Sequence, residues 1–188
     1  GKRVSIGSPG SGSEIIARRV LEAYGIDPDK DIVRQRLGVS EAVNALKDRK
    51  IDAFIHNAAI PIPAVTDLAA TPGIRIKMID HADAVAAMNK KFGPLYSAGT
   101  LPAKIYPGLA KDPTTVDVWA VLLTSEKMSD KVAYDTVKTL FEKKPDLVVV
   151  ARDAQYMTFE NQFSGNTPIP FHPGALKFFA EKGFKPAQ

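Results

Sequence analysis

A turn built from three glycines, three serines and a proline, residues 7–13, constrains this chain more than any other stretch. It lies between a short apolar run, residues 4–6, and an amphipathic run, residues 14–24, and this order predicts a strand, a tight turn and a helix. The first turn of a helix has backbone N–H groups without intrahelical acceptors and carries the positive end of the helix dipole. The turn is therefore suited to hold an anion.

Competing interpretations of this turn differ in what it would bind. A P-loop is excluded because no Gly-Lys-Ser/Thr sequence closes the turn. A dinucleotide turn fits poorly, because Ile15 stands where a third glycine is needed and the next predicted strand ends in Arg36 and Leu37 instead of an acid. A site for a small carboxylate or phosphate and plain helix capping by Ser11 and Glu14 both stay open, and they are compatible with each other.

Composition narrows the class of protein. The chain has 188 residues, 45% of them hydrophobic and 24% charged, as in an ordinary globular protein. The net charge is +4, but the basic residues are scattered instead of clustered with aromatics, so no nucleic-acid partner is expected. The chain has no cysteine, which excludes disulfides and thiolate metal sites, and no apolar run long enough to span a membrane. His56 has no metal-ligand spacing around it, so neither a metal nor a cofactor is expected.

Strand-like and helix-like patterns alternate through the first part of the chain. Strands are predicted at residues 2–6, 31–37, 51–56 and 74–79, and helices at 14–24, 41–50 capped by Ser40, 64–70, and after a capping Asp80. Such alternation predicts an α/β fold with a parallel-type sheet flanked by helices. Ligands of these sheets bind beyond the carboxyl ends of the strands.

Two of the predicted loops meet at that edge of the sheet. The glycine turn follows the first strand, and His56 and Asn57 follow the third, so they are expected to converge on a binding site. His56 has three possible roles: to contact a ligand, to titrate near neutral pH, or to cap its neighbour. Residues 93–114 are rich in Gly and Pro and predict an irregular connection, in which Tyr106 either faces the ligand or packs over the loop.

After Thr115 the alternation of strand-like and helix-like patterns ends. The apolar run at residues 116–123, broken only by Asp117, predicts a strand buried on both faces. Three helices are predicted after it: from the cap Ser129 to Glu142, through Leu147, Val150, Ala151 and Ala154, and from Pro173 to Gly183. One strand needs partners for its hydrogen bonds, and these residues supply none. A second lobe whose other strands are missing is therefore favoured over an extension of the first sheet.

Four stretches resemble one known family, in the family's order and over nearly the whole chain. They are VSIGSPGSGSE at residues 4–14, IDAF at 51–54, IYPG at 105–108 and IPFHPGA at 169–175. They resemble the TAXI family, the extracytoplasmic solute receptors of one branch of the TRAP transporters. The resemblance implies a type II periplasmic-binding-protein-like receptor that closes on a small solute in the periplasm, delivers it to membrane permease subunits and catalyses no reaction.

The same resemblance implies a ligand class and a set of ligand contacts. Family members look like binders of glutamate-type amino acids and related carboxylates, in agreement with an anion-ready turn. By the resemblance, the loop at residues 56–59 faces the ligand cleft. The family usually has glycine where Ala58 or Ala59 stands, so the alanine methyl groups would narrow the cleft at this loop. The residues expected to bind the ligand are Ser8, Gly10, Ser11, Gly12, Ser13, His56, Asn57, Ala58, Ala59 and Tyr106.

The start of the chain departs from the family. It opens at Gly1 without an initiator Met, and the family's N-terminal segment, with its signal peptide and most of one lobe, is expected to be cut away. On this expectation residues 1–112 are the second lobe, and residues 113–188 are a crossover strand and C-terminal helices returning to the first.

Two other functions remain: an NADP-dependent reductase, supported by the turn and Arg36, and an effector-sensing domain of a transcription regulator.

Overall fold

The structure is a computed structural model that describes residues 1–162 and 168–185. The chain divides into two compact units, Gly1–Val118 and Trp119–Gln188. Among the described residues, no helix has both the length and the apolar character that crossing a bilayer requires.

A parallel sheet organises the first unit. Strands β1 (Arg3–Ser5), β2 (Val33–Gln35) and β3 (Ala53–Phe54) pair in the order β2-β1-β3, so β1 is the central strand. Helices α1 (Gly12–Ala23) and α2 (Val39–Lys47) connect consecutive strands, as parallel pairing requires. This arrangement confirms the predicted α/β, periplasmic-binding-protein-like fold with a parallel sheet flanked by helices.

The rest of the first unit adds two helices and a separate antiparallel pair of strands. In chain order these are α3 (Pro63–Ala70), α4 (Ala84–Phe92), β4 (Ser97–Thr100), a 3₁₀ turn (Ala103–Ile105) and β5 (Thr114–Asp117). Strands β4 and β5 pair with each other and not with the parallel sheet. Helix α1 packs on α4, and α2 packs on α3.

Apolar side chains on both sides of α1 form the core that holds the sheet. Ala17 and Leu21 pack with Ile6 of the strand end, whereas Val20 packs on Met88 of α4. Ile6 and Met88 are fully buried. Burial of each such side chain contributes about 1.5–3 kcal/mol, so the core fixes the position of the turn between β1 and α1.

A buried serine extends the sheet where the short strand β2 ends. Ser5 is 0% exposed, and its Oγ accepts a hydrogen bond from Leu37 N at 3.3 Å and donates one to Leu37 O at 3.4 Å. A side chain thus satisfies the backbone N–H and C=O groups of Leu37, which make no strand-to-strand hydrogen bonds among the described residues. Such groups are costly to leave unpaired inside a protein.

We therefore predict that Ser5→Ala destabilises the chain by about 1–2 kcal/mol, because it leaves the Leu37 backbone groups without a partner. Urea unfolding followed by circular dichroism measures the change. The control is Ser40→Ala, since Ser40 is exposed on α2 and should change stability by less than about 0.5 kcal/mol. Equal effects of the two substitutions would show that the Ser5 hydrogen bonds do not contribute.

Two predicted strands and one predicted irregular connection differ from the structure. The predicted strand at residues 74–79 is wrong, although its alternation is real: Ile74, Ile76 and Met78 pack on a core cluster without forming a ladder. The irregular connection predicted for residues 93–114 contains β4, whose sequence SAGT has little strand propensity. The buried strand predicted for residues 116–123 is also wrong, because β5 ends at Asp117 and Leu122 is 71% exposed.

Two predicted helix caps are also corrected. Helix α2 begins at Val39 after Gly38, and Glu41 caps it by accepting a hydrogen bond from Gly38 N at 2.9 Å, so Ser40 lies inside the helix. Asp80 does not cap α4, which begins four residues later at Ala84. Its carboxylate accepts a hydrogen bond from Thr114 N at 2.9 Å instead, and so fixes the start of β5.

The regular elements of the second unit, over its described residues, are all helices. Its helices are α5 (Asp130–Glu142), α6 (Lys144–Val150), a 3₁₀ helix (Arg152–Tyr156), α7 (Phe159–Gln162) and α8 (Pro173–Glu181). The predicted cap Ser129 and the predicted start at Pro173 are confirmed. The single helix predicted through residues 147–154 is wrong, because the extended backbone of Ala151 (φ −133°) ends α6.

Phenylalanines form the core of the second unit between α5 and α8. Phe178 and Phe179 are buried and pack with Phe141 and Phe159. His172 caps α8, because its Nδ1 accepts a hydrogen bond from Gly174 N at 3.1 Å. The IPFHPGA stretch thus sets where α8 begins.

Candidate functional site

The glycine turn is compact because the chain reverses direction at two left-handed residues. Gly7 has φ +98° and Gly10 has φ +72°. A Cβ atom on Gly7 would lie 2.8 Å from the Cβ of Ser13, so the end of β1 passes directly against the first turn of α1. Only glycine combines this backbone conformation with this close approach.

Helix capping inside the turn is confirmed in part. Ser11 Oγ accepts a hydrogen bond from Glu14 N at 3.2 Å, as predicted for a cap. The Glu14 carboxylate accepts from Gly10 N at 2.7 Å and not from the N–H of the cap residue. The turn therefore already holds one anion of its own, and the amide of Gly10 is used by it.

Glu14 is also the centre of a charge cluster. It is 6% exposed, and Arg36 donates from Nε to its Oε1 at 2.8 Å. Arg18 lies farther away, with Nε 3.9 Å from the same oxygen. The Gly10 amide, and after it the Arg36 guanidinium, lowers the pKa of Glu14, so this carboxyl is ionised at neutral pH.

We predict that Glu14→Gln weakens the pH dependence of stability in acid. A carboxyl whose pKa is lower in the folded state contributes stability above its unfolded pKa, and this contribution is lost as the pH falls through the folded pKa. The unfolding midpoint should therefore fall less steeply below about pH 4.5 in Glu14→Gln than in the wild type. Arg3 likewise lowers the pKa of Asp52, so part of the slope remains.

The matched control for this prediction is Glu126→Gln, since Glu126 is an exposed carboxylate outside the turn. Melting curves recorded from neutral to acid pH compare the three proteins. Parallel curves for Glu14→Gln and the wild type would mean that the Gly10 and Arg36 contacts do not stabilise the fold.

The structure brings the turn and the loop after β3 together through Ser13. Asn57 N donates to Ser13 Oγ at 3.1 Å, and Ser13 Oγ donates to Asn57 O at 3.2 Å. The Nδ1 atom of His56 lies 3.4 Å from the same hydroxyl. Ser13 is buried, so its hydroxyl holds the carboxyl ends of β1 and β3 in a fixed arrangement.

This contact lies at the point where the strand order reverses. The chain runs from β1 to β2 on one side of β1 and then to β3 on the other side of β1. Ligands of open α/β sheets bind at such a switch point. Within residues 1–162 and 168–185, the amides of Gly12 and Ser13 donate to no protein acceptor. Ser8 Oγ is near the loop after β2, 3.4 Å from where a Cβ of Gly38 would be. The two amides and the Ser8 hydroxyl are therefore hydrogen-bond donors at the edge of the parallel sheet where its strands end.

The other expected site residues fall into two groups. Asn57, Ala58 and Ala59 are exposed in the loop that begins at this edge. Tyr106 is 2% exposed and packs in a core cluster with Leu68. Its hydroxyl accepts from Ile62 N at 2.8 Å, so it supports the far end of the loop and matches the packing interpretation of Tyr106.

Sequence reasoning missed the partners of two charged or polar residues at this edge. The serine Ser5 gave no signal apart from its place in an apolar strand. Arg36 was considered only for a 2′-phosphate, whereas its NH2 lies 2.6 Å from Glu14 Oε1 in an ion pair. Arg36, one of the two features that favoured an NADP-dependent reductase, is therefore paired with a carboxylate of the protein itself.

Comparison with known protein families gives a match over most of the chain. A family model described as the NMT1-like family matches residues 1–183. That family includes periplasmic binding proteins, among them TRAP/TAXI-type receptors, and its members are binding proteins rather than enzymes.

Proposed function

The chain belongs to the NMT1-like family, and from this premise we propose that it is a receptor for a small carboxylate such as glutamate or a related amino acid or dicarboxylate. A periplasmic solute-binding role is what the family supports. One observation carries the choice of site: Ser13 ties the start of α1 to Asn57 across the switch point of the sheet.

The choice of a carboxylate follows from the hydrogen-bonding groups at this edge. The amides of Gly12 and Ser13 and the hydroxyl of Ser8 supply neutral donors, and the dipole of α1 adds a positive potential. Arg36 is paired with Glu14, so it is not the group that receives the ligand. A carboxylate is an acceptor-only group that such donors can satisfy.

The finer part of the proposal concerns partners and location. In it the receptor is of the TAXI type, works in the periplasm, and delivers its solute to the membrane permease subunits of a TRAP transporter. Residues 1–112 are one ligand-binding lobe, and residues 113–188 hold the crossover strand, which is β5 (Thr114–Asp117), and the C-terminal helices of the other lobe. Family resemblance and the anion-ready turn support this proposal.

A thermal-shift panel tests the proposed ligand class. The compounds are L-glutamate, L-glutamine, 2-oxoglutarate, succinate and NADPH, each added to the wild type and to Ser8→Ala. A ligand at about a hundred times its dissociation constant stabilises the folded state by about 2.7 kcal/mol. We expect a small carboxylate to raise the melting temperature of the wild type and to do so less in Ser8→Ala.

The control variant is Ser40→Ala, which removes an exposed hydroxyl on α2 away from the turn and should respond as the wild type does. NADPH is expected to have no effect. Stabilisation by NADPH and by none of the carboxylates would overturn the proposed function.

A further inference from the structure

We propose that Ser13 fixes the tautomer of His56, leaving Nε2 of the imidazole as an unprotonated acceptor that selects solutes with an N–H donor beside their carboxylate. The tautomer of His56 is a property of the protein alone. The selection of solutes by Nε2 rests on the proposed function.

The hydrogen bonds of one hydroxyl group determine the tautomer. A serine hydroxyl has one proton to donate and two lone pairs to accept with. Asn57 N–H uses one lone pair, and Asn57 O, which can only accept, takes the proton. With the proton donated to Asn57 O, the second lone pair is left for His56 Nδ1, 3.4 Å away, and Nδ1 is the donor of that hydrogen bond.

A neutral imidazole has one protonated and one unprotonated nitrogen, so a proton on Nδ1 leaves Nε2 as an acceptor. His56 is half-buried, and burial lowers its pKa, so the ring is neutral near pH 7. Within the part of the chain that the structure describes, no protein group bonds to its Nε2. The atom is available to a ligand.

This acceptor complements the donors of the turn. A solute that offers a carboxylate to the amides of Gly12 and Ser13 and an ammonium to His56 Nε2 satisfies both groups. A 2-oxo acid of the same length places an oxygen lone pair opposite the Nε2 lone pair, and both remain unpaired. An unpaired buried polar group weakens binding about tenfold or more.

The two other histidines of the chain provide internal references for each tautomer. His81 Nδ1 lies 2.8 Å from Ile79 O, and because a carbonyl only accepts, His81 has the proton on Nδ1. In His172, Nδ1 accepts from Gly174 N and Nε2 lies 3.0 Å from Met128 O, so the proton is on Nε2.

The first experiment measures the tautomer without any ligand. Long-range ¹H–¹⁵N correlation spectra of the ¹⁵N-labelled chain near neutral pH separate the two ring nitrogens, and the signals of His56 are those lost in His56→Phe. We expect the His56 pattern to match that of His81 in the wild type and to become a mixture in Ser13→Ala. A His56 pattern like that of His172 would overturn the inference.

The second experiment compares L-glutamate with 2-oxoglutarate by calorimetric titration. We expect the wild type and His81→Phe to prefer glutamate by about tenfold or more, and His56→Phe to lose this preference. Equal affinities for the two compounds in the wild type would overturn the inference.

The outcomes separate the inference from the proposed function. Binding of glutamate together with a proton on Nε2 removes the inference and leaves the function standing. A proton on Nδ1 with no binding of any carboxylate of the panel contradicts the proposed ligand class, and the donor preference falls with it.

Discussion

Gly7→Ala is expected to destabilise the chain by about 2–5 kcal/mol, because the methyl group adds both backbone strain and overpacking. Gly7 has φ +98°, a conformation that costs a non-glycine residue about 1–2 kcal/mol. The added Cβ would also lie 2.8 Å from Ser13 Cβ and 3.1 Å from Glu14 N. Relieving such overpacking costs about a further 1–3 kcal/mol.

The matched control is Gly10→Ala in the same turn. Gly10 has φ +72°, but no heavy atom lies within 4 Å of its added Cβ, so only the backbone strain of about 1–2 kcal/mol applies. Urea unfolding of both variants under one set of conditions isolates the cost of the close approach. If Gly10→Ala loses as much stability as Gly7→Ala, the packing of β1 against the start of α1 is not what requires glycine.

The second large effect is expected for Gly174→Ala, at about 3 kcal/mol. A Cβ on Gly174 would lie 2.2 Å from Asp130 O and 3.0 Å from Ala133 Cβ, both on α5. The backbone oxygen cannot rotate away as a side chain could, so α8 must move. That movement loosens the packing of Phe178 and Phe179 in the core of the second unit.

Gly12→Ala is the control for this substitution, since Gly12 is also in the first turn of a helix and has open space at its Cβ position. We expect it to change stability by less than about 1 kcal/mol. Circular dichroism during urea unfolding measures both. If Gly174→Ala is as stable as Gly12→Ala, α8 can accommodate a Cβ atom at this position, and the close approach to Asp130 O is not what requires glycine.

The sequence predicts the parallel sheet well, because three of its features are local. The apolar strand at β1, the glycine turn and the amphipathic face of α1 are each read from neighbouring residues. The strand predicted at residues 74–79 is not formed, although the alternating Ile74, Ile76 and Met78 are partly buried against a core cluster. The prediction failed because alternation reports which side chains face the core, whereas a ladder also needs an edge to pair with.

The candidate site was predictable only in outline. The convergence of the turn with His56 and Asn57 follows from parallel topology, in which the strand ends meet at one edge. The contacts that shape this edge join residues far apart in sequence: Arg36 is 22 residues from Glu14, and Asn57 is 44 residues from Ser13. Periodicity and capping rules carry no information about such pairs, so the internal anion at Glu14 had no sequence signal beyond its spacing from Ser11.

The measurement that tests the proposed receptor site most directly is a titration of the ¹⁵N-labelled chain with L-glutamate, followed by the backbone amide signals. The account predicts saturable shifts that are largest for Gly12, Ser13 and Asn57, because these amides lie at the switch point of the sheet. Gly25, at the other end of α1, should not shift. Saturable binding whose shifts avoid the turn and cluster around Gly25 would contradict it, and so would the absence of saturable shifts with glutamate and with every carboxylate of the panel.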